Sequence, residues 1–234
     1  MNPLRRLTWY EWIMCLIMVG IAGYVMVSAF IDPDSTDNPA WLTVVNFVSA
    51  VAGVMCIFLT AKASISNFVF SIVNTSAYMV YLFYWCIWGT FMLEACVYLP
   101  VSVVSWVMWV RHRDKDDRDI TKAKRLSRNA IVLLAVIVIL SGLVYSEILK
   151  DLGDPVPMLD AYTVAIGLVA ITLELLRYRE QYVLWLITDI IAVAMFIVHF
   201  DPVYLTKKTI YLIMAFVGLY NWTRLAKERN AENE

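Results

Sequence analysis

Along most of this chain, apolar residues run on in long unbroken stretches. They lack the alternation of period 2 or 3.6 that marks a half-buried strand or a surface helix. Eight such stretches occur, at 12–31, 41–61, 67–89, 91–110, 130–149, 159–176, 182–200 and 209–225. As a helix, each is long enough to cross about 30 Å of hydrocarbon. The last is bracketed by Lys207, Lys208 and Arg224, whose side chains can snorkel to the interfaces. The pattern predicts an all-α integral membrane protein with eight transmembrane helices.

Composition agrees. Hydrophobic residues make up 61% and charged residues 17%, against about 45–50% and about 25% in soluble domains. The net charge of −1 points to no nucleic-acid partner. No basic leader and small-residue cleavage site precede the first span, which is expected to stay as a helix. Cys15, Cys56, Cys86 and Cys96 lie in apolar stretches without metal spacing and read as packing residues.

Charge placement gives an orientation. Eight crossings put both termini on one side, and that side collects 16 of the 19 Lys and Arg residues; Lys150, Lys207 and Lys208 fall on the other. The positive-inside rule then expects both termini in the cytoplasm. The first external loop, with Asp32, Asp34 and Asp37, carries no Lys or Arg. The polar segment 111–129 holds eight basic and four acidic residues and reads as a solvated connector rather than a lipid-headgroup site.

A repeat organises the chain. Tyr98-Leu99 precedes Trp109-x-Arg111, and Tyr211-Leu212 precedes Trp222-x-Arg224, with the same Tyr-to-Trp spacing of 11 and an offset of 113. Each copy closes a set of three spans, and one span lies between the sets. This gives a 3+1+3 parallel repeat with one extra N-terminal helix. The expected units are 1–40 (extra helix and external loop), 41–110 (first three-helix bundle), 111–158 (loop and linker helix) and 159–234 (second bundle and tail).

Polar residues inside the spans mark the candidate site. Tyr182, Trp185 and Asp189 are spaced i, i+3, i+7 and share a helical face. A carboxylate near mid-membrane must face protein, water or ligand, and no Lys, Arg or His is expected at its depth. Asn74 lies seven residues into its span, as Asp189 does. Glu94, Tyr98, Ser102, Ser105 and Trp109 form a stripe whose counterparts are Lys207, Tyr211, Ala215, Gly218 and Trp222. Blander readings compete. Asn74 could bond across helices, Ser102 and Ser105 could pack, Glu94 could be solvated near the outer face, and Glu174 could pair with Arg177 or Arg179. Trp41, Trp85 and Trp88 read as interfacial anchors, and His199 as interfacial.

Phosphate-loop, zinc-protease and nucleophile-elbow motifs are absent, and there are two histidines. An enzyme is not expected, nor any cofactor or metal.

Several stretches together resemble the PnuC-type nicotinamide riboside transporters: residues 48–68, Tyr98-Leu99-Pro100 with Ser102 and Trp106, Glu180-x-Tyr182-x-x-Trp185-x-x-x-Asp189, and Tyr211 with Gly218-Leu-Tyr-Asn221-Trp222. The likeness covers about residues 41–225. It implies a full-length SWEET-like fold, facilitated diffusion of an unphosphorylated vitamin precursor, trapping by a cytosolic kinase, and a homotrimer in a bacterial inner membrane. Three positions differ from the family's pattern: Trp-x-x-Trp-x-x-x-Asn appears as Tyr182, Trp185 and Asp189, and a Gln or Asn after Leu-Pro falls at Ser102. The substrate expected is a flat cation, nicotinamide riboside or, as an alternative, thiamine; a non-transporting receptor or scaffold is the alternative of another class. Trp185 and Tyr182 would stack on the ring, Asp189 would offset its charge, and Asn74, Ser102 and Asn46 would hydrogen-bond polar groups.

Overall fold

The computed structural model describes residues 7–32, 38–84, 91, 93–112, 121, 123–151, 157–198 and 202–231. Eight long helical segments occur among them. They are α1 (Trp9–Ile31), α2 (Ala40–Ala61), α3 (Asn67–Tyr84), α4 (Leu99–Arg111, entered through a π turn Glu94–Tyr98), α5 (Arg128–Asp151), α6 (Pro157–Leu175), α7 (Gln181–Val198) and α8 (Pro202–Ala231). Trp85, Trp88, His199, Cys86, most of the acidic first loop, and residues 113–120 and 122 of the 111–129 segment lie outside the described residues.

Two helices depart from their expected bounds for local reasons. Pro100 has no N–H to give residue 96, and its ring crowds that carbonyl. The ladder answers by slipping one residue, so the Leu99 N–H reaches Glu94 O and a π turn forms. Helix α8 begins at Pro202, a residue suited to a first helical turn, and runs through Lys207 and Lys208 instead of starting after them. The two lysines therefore sit inside the bundle rather than at its rim.

Packing closes six helices into a ring: α2 on α3, α3 on α4, α4 on α6, α6 on α7, α7 on α8, and α8 back on α2. With α2–α4 and α6–α8 called the first and second triplet, the first helix of each meets the last helix of the other. Helices α1 and α5 stand outside the ring. α1 packs on α2 and α8, and α5 on α6. Their most apolar windows are only 17% and 11% buried, against 56% for α2, so they present Trp12, Leu16, Phe30, Leu133, Leu140 and Val144 outward. Among the described residues α1, α2 and α5 are long and apolar enough to span a membrane by length and composition; parts of α6 and α7 form shorter apolar helices.

At the end where α1 begins and α8 finishes, here called the base, the two triplets make matching contacts. Helices α2 and α6 both end in a left-handed cap. Ala63 has φ 56° and Arg177 φ 67°. Ser64 N–H donates to Leu59 O and Tyr178 N–H to Leu173 O, each at a distance of five residues. The Trp109 indole donates to Glu174 O (3.1 Å), and the Trp222 indole donates to Thr60 O (2.9 Å). Phe68 packs edge-on against Trp109 at 4.9 Å, Tyr182 against Trp222 at 5.8 Å, and the two indoles meet at 5.4 Å. A strap crosses both caps: Thr121 N–H donates to Ala63 O, and Lys124 N–H to Arg177 O. Thr121 and Lys124 therefore clasp the two caps, more than the solvated connector the charge of this stretch suggested. Glu11 of α1, buried, docks the extra helix through an ion pair with Lys62.

Candidate functional site

Inside the ring lies a cavity of about 270 Å³, bounded by α2, α3, the π turn, α4, α6, α7 and α8. Such a volume sits near the low end of small-molecule pockets, about 300–1,000 Å³. Four of the six expected site residues line it: Asp189 and Trp185 from α7, Asn74 from α3 and Ser102 from α4.

The other two lie elsewhere. Tyr182 shares its helical face with Asp189 but is fully buried in the base, against Trp222 and against Gly218. A Cβ at Gly218 would stand 2.3–2.8 Å from three Tyr182 ring atoms, so the missing side chain makes room for the ring. The tyrosine hydroxyl has no partner among the described residues. Asn46 lines a separate, smaller hollow of about 100 Å³ between α1, α2, α3 and α8, together with Thr43, Tyr81 and Lys207.

The expectation that Asp189 lacks a cation is overturned. Lys208 Nζ lies 3.1 Å from Asp189 Oδ1, and the Asp189 side chain is only 4% exposed. One turn along α8, Tyr211 lies between two ammonium groups, 5.4 Å from Lys208 Nζ and 5.8 Å from Lys207 Nζ. The Lys207 ammonium turns to the first triplet and donates to Asn74 Oδ1 (3.4 Å), which also accepts from the Ser49 hydroxyl (3.0 Å). The lysines were missed because the α8 pattern was read as starting at residue 209; Pro202 was the available signal that the helix starts earlier.

Two further acids line the cavity. Glu94, for which a solvated place near the outer face was the competing expectation, lines it beside Thr75. Glu174 lines it within hydrogen-bonding reach of Trp185. Arg179, one expected partner of Glu174, instead pairs with Glu180 (3.0 Å) and donates to Thr223. Glu180 Oε2 accepts from Leu126 N–H, tying the strap to α7. Ser102 shares a 3.1 Å hydrogen bond with Ser71. Cys56 also lines the cavity, whereas Cys96 is exposed rather than packed.

The chemistry of the lining is legible. Three acidic side chains, Asp189, Glu94 and Glu174, line the cavity with Lys208, and Lys207 reaches Asn74 at its edge; as formal charges these leave one negative charge in excess. Aromatic surfaces come from Trp185, Tyr98, Tyr211 and Phe68. Hydroxyls and an amide come from Ser71, Thr75, Ser102 and Asn74. The cavity can hold a flat polar molecule with one positive charge. Among the described residues no cluster of His, Cys, Asp and Glu is arranged to hold a metal.

Gly53 sets one wall. A Cβ there would lie 2.6 Å from the Tyr211 hydroxyl, 2.9 Å from Asn74 Oδ1 and 3.1 Å from Lys207 Cε. The first triplet's α2 thus approaches α8 through a glycine, and the second triplet's α6 does the same: a Cβ at Gly167 would lie 3.2 Å from the Tyr98 hydroxyl.

Comparison with known proteins agrees with this architecture. The crystal structure of the vitamin B3 transporter PnuC superposes with a TM-score of 0.74 at 31% identity, over 95% of this chain and 94% of that one. The nicotinamide riboside transporter PnuC of Neisseria mucosa is 31% identical over 96% of this chain and 85% of its own length. That of Haemophilus influenzae is 29% identical over 94% and 91%. The sequence pattern described as nicotinamide mononucleotide transporter matches residues 43–224. An all-helical chain with this match along most of its length belongs to the nicotinamide mononucleotide transporter family, a family of membrane transporters and not of enzymes.

Proposed function

We propose that this protein carries nicotinamide riboside across a bacterial inner membrane by facilitated diffusion. One observation carries the reading: a carboxylate and an indole, Asp189 and Trp185, face one cavity inside a closed ring of helices. The ligand's pyridinium ring would stack on Trp185, where cation–π attraction adds to the field of Asp189. Asn74, Ser102 and Ser71 would bond the amide and ribose hydroxyls. Tyr182 acts in the base as packing, and Asn46 in the outer hollow on the approach route. Thiamine is also a flat cation, but the relatives' names favour nicotinamide riboside.

The arrangement that supports this use is the 3+1+3 parallel repeat with α1 as the extra helix and α5 as the linker. Rocking of one triplet against the other would open the cavity to alternate sides. Both termini then lie in the cytoplasm, where the base carries most of the basic residues. The outward apolar faces of α1 and α5 would meet lipid and, in a homotrimer, neighbouring copies. A cytosolic kinase would trap the product.

Uptake of labelled nicotinamide riboside into proteoliposomes tests the reading. Flux down its own gradient, unaffected by an imposed pH gradient, is expected. Binding without flux would make the protein a receptor, and stabilisation by thiamine alone would remove nicotinamide riboside as the substrate.

A further inference from the structure

The Asp189–Lys208 pair has a feature that a merely structural ion pair does not need. Both partners line the ligand cavity rather than the packed base. The ammonium is held by a carboxylate at 3.1 Å and stands 5.4 Å from the Tyr211 ring centroid, with Trp185 in the same lining. A carboxylate with aromatic rings is also the chemistry that recognises an organic cation. The two partners differ in freedom. The Asp189 side chain is 4% exposed and fixed on α7, whereas the Lys208 side chain is 30% exposed on a flexible stem. An arriving cation therefore competes for the carboxylate with the lysine, the partner that is free to move. Glu94 and Glu174 line the same cavity, so a displaced ammonium stays among acids and the exchange buries no new unpaired charge.

We propose that the Lys208 ammonium is a tethered stand-in for the ligand's positive charge: it holds Asp189 while the cavity is empty and yields it to a cationic ligand. Lys208 thereby sets how strongly a cation must bind and prevents Asp189 from standing uncompensated during the return step. This rests on the reading of the cavity as a cation site given above. It assigns Lys208 a specificity-determining role, with monocationic nitrogen heterocycles as the selected class.

Calorimetry on purified protein tests it, with N-methylnicotinamide cation and neutral nicotinamide as the matched pair of probes. Lys208→Gln is expected to bind the cation about tenfold more tightly than wild type, the change that follows when the binding-competent state was about one-tenth populated. Affinity for neutral nicotinamide should not rise. Lys207→Gln removes the same charge one residue away, where the ammonium reaches Asn74 instead of Asp189, and should give a much smaller gain. Equal gains in the two variants, or none in Lys208→Gln, would overturn the proposal. Should Lys208→Gln not fold, Lys208→Arg decides. Its planar fork grips a carboxylate more firmly, so cation binding should weaken, and unchanged or tighter binding overturns the idea. Failure of wild type to bind nicotinamide riboside would count against the proposed function, while the N-methylnicotinamide comparison would still judge Lys208.

Discussion

The base and the cavity of this molecule follow different rules. In the base, contacts come in pairs separated by 113 or 114 positions: the caps at Ala63 and Arg177, the indole bonds of Trp109 and Trp222, and the edge-on rings of Phe68 and Tyr182. The buried amides of Asn67 and Gln181 are matched too, and neither has a partner among the described residues. In the cavity the same correspondence breaks. Because the helices start at Asn67 and Gln181, Thr75 and not Asn74, as the expected spans had it, stands where the second triplet has Asp189; Glu94 stands where it has Lys207, and Ser102 where it has Ala215. The duplicated residues build the frame, and the unmatched ones supply charge and hydrogen bonding. A ligand without twofold symmetry needs an asymmetric site in a near-symmetric frame.

The largest effects should come from the frame. Trp109→Ala and Trp222→Ala each delete a fully buried indole and its hydrogen bond to the opposite triplet. Each should cost about 3–5 kcal/mol of stability. Thermal unfolding in detergent should show losses of similar size in the two variants. A variant pair in which one is nearly silent would break the equivalence of the two triplets.

Substitution in the cavity should be as unequal as the base is equal. Asp189→Asn leaves Lys208 without its carboxylate and removes the charge offered to a cation. Uptake of nicotinamide riboside should fall by about tenfold or more, at least about 1.4 kcal/mol. Thr75→Val, at the corresponding place on α3, should change uptake less than Asp189→Asn does. Equal losses would mean that the carboxylate is not what distinguishes the second triplet.

Glycines at the two crossings offer a finer contrast. Gly53→Ala must push against Tyr211, Asn74 and Lys207 together, whereas Gly167→Ala meets only the Tyr98 hydroxyl within 4 Å. Overpacking of this kind costs about 1–3 kcal/mol. Uptake at limiting substrate should therefore drop clearly in the first variant and little in the second.

Much of this architecture was legible in the sequence, and the reasons differ by region. Long apolar runs specify helices in a membrane whatever their neighbours, so eight helices could be placed, and the Tyr-to-Trp spacing pointed to the two tryptophans whose indole bonds match in the base. Asp189, Asn74 and Ser102 could be expected at an inner cavity because a polar residue at mid-depth is costly unless it faces an interior, and Trp185 because it shares a helical face with Asp189; all four line the cavity. The Asp189–Lys208 pair was hidden by a helix start seven residues earlier than the apolar run suggested. Glu94 was placed by its stripe, since Tyr98, Ser102 and Ser105 line the cavity with it, but its depth near the outer face left a solvated carboxylate as the competing reading. Tyr182 was misassigned for another reason. Residues seven apart share a face, but along that face the surroundings change from cavity to base.

The smallest expected effect concerns that tyrosine. Its counterpart in the first triplet is Phe68, so Tyr182→Phe would make the two edge-on pairs chemically alike. The hydroxyl lost is buried and has no partner among the described residues. Removing an unsatisfied buried polar group should leave stability unchanged or raise it by about 1 kcal/mol, seen as an equal or higher unfolding temperature. Because the ring, not the hydroxyl, fills the space at Gly218, the concentration giving half-maximal uptake should stay as in wild type. A loss of uptake as large as that of Asp189→Asn would place the hydroxyl on the ligand's path when the base opens, and would make the frame itself part of recognition.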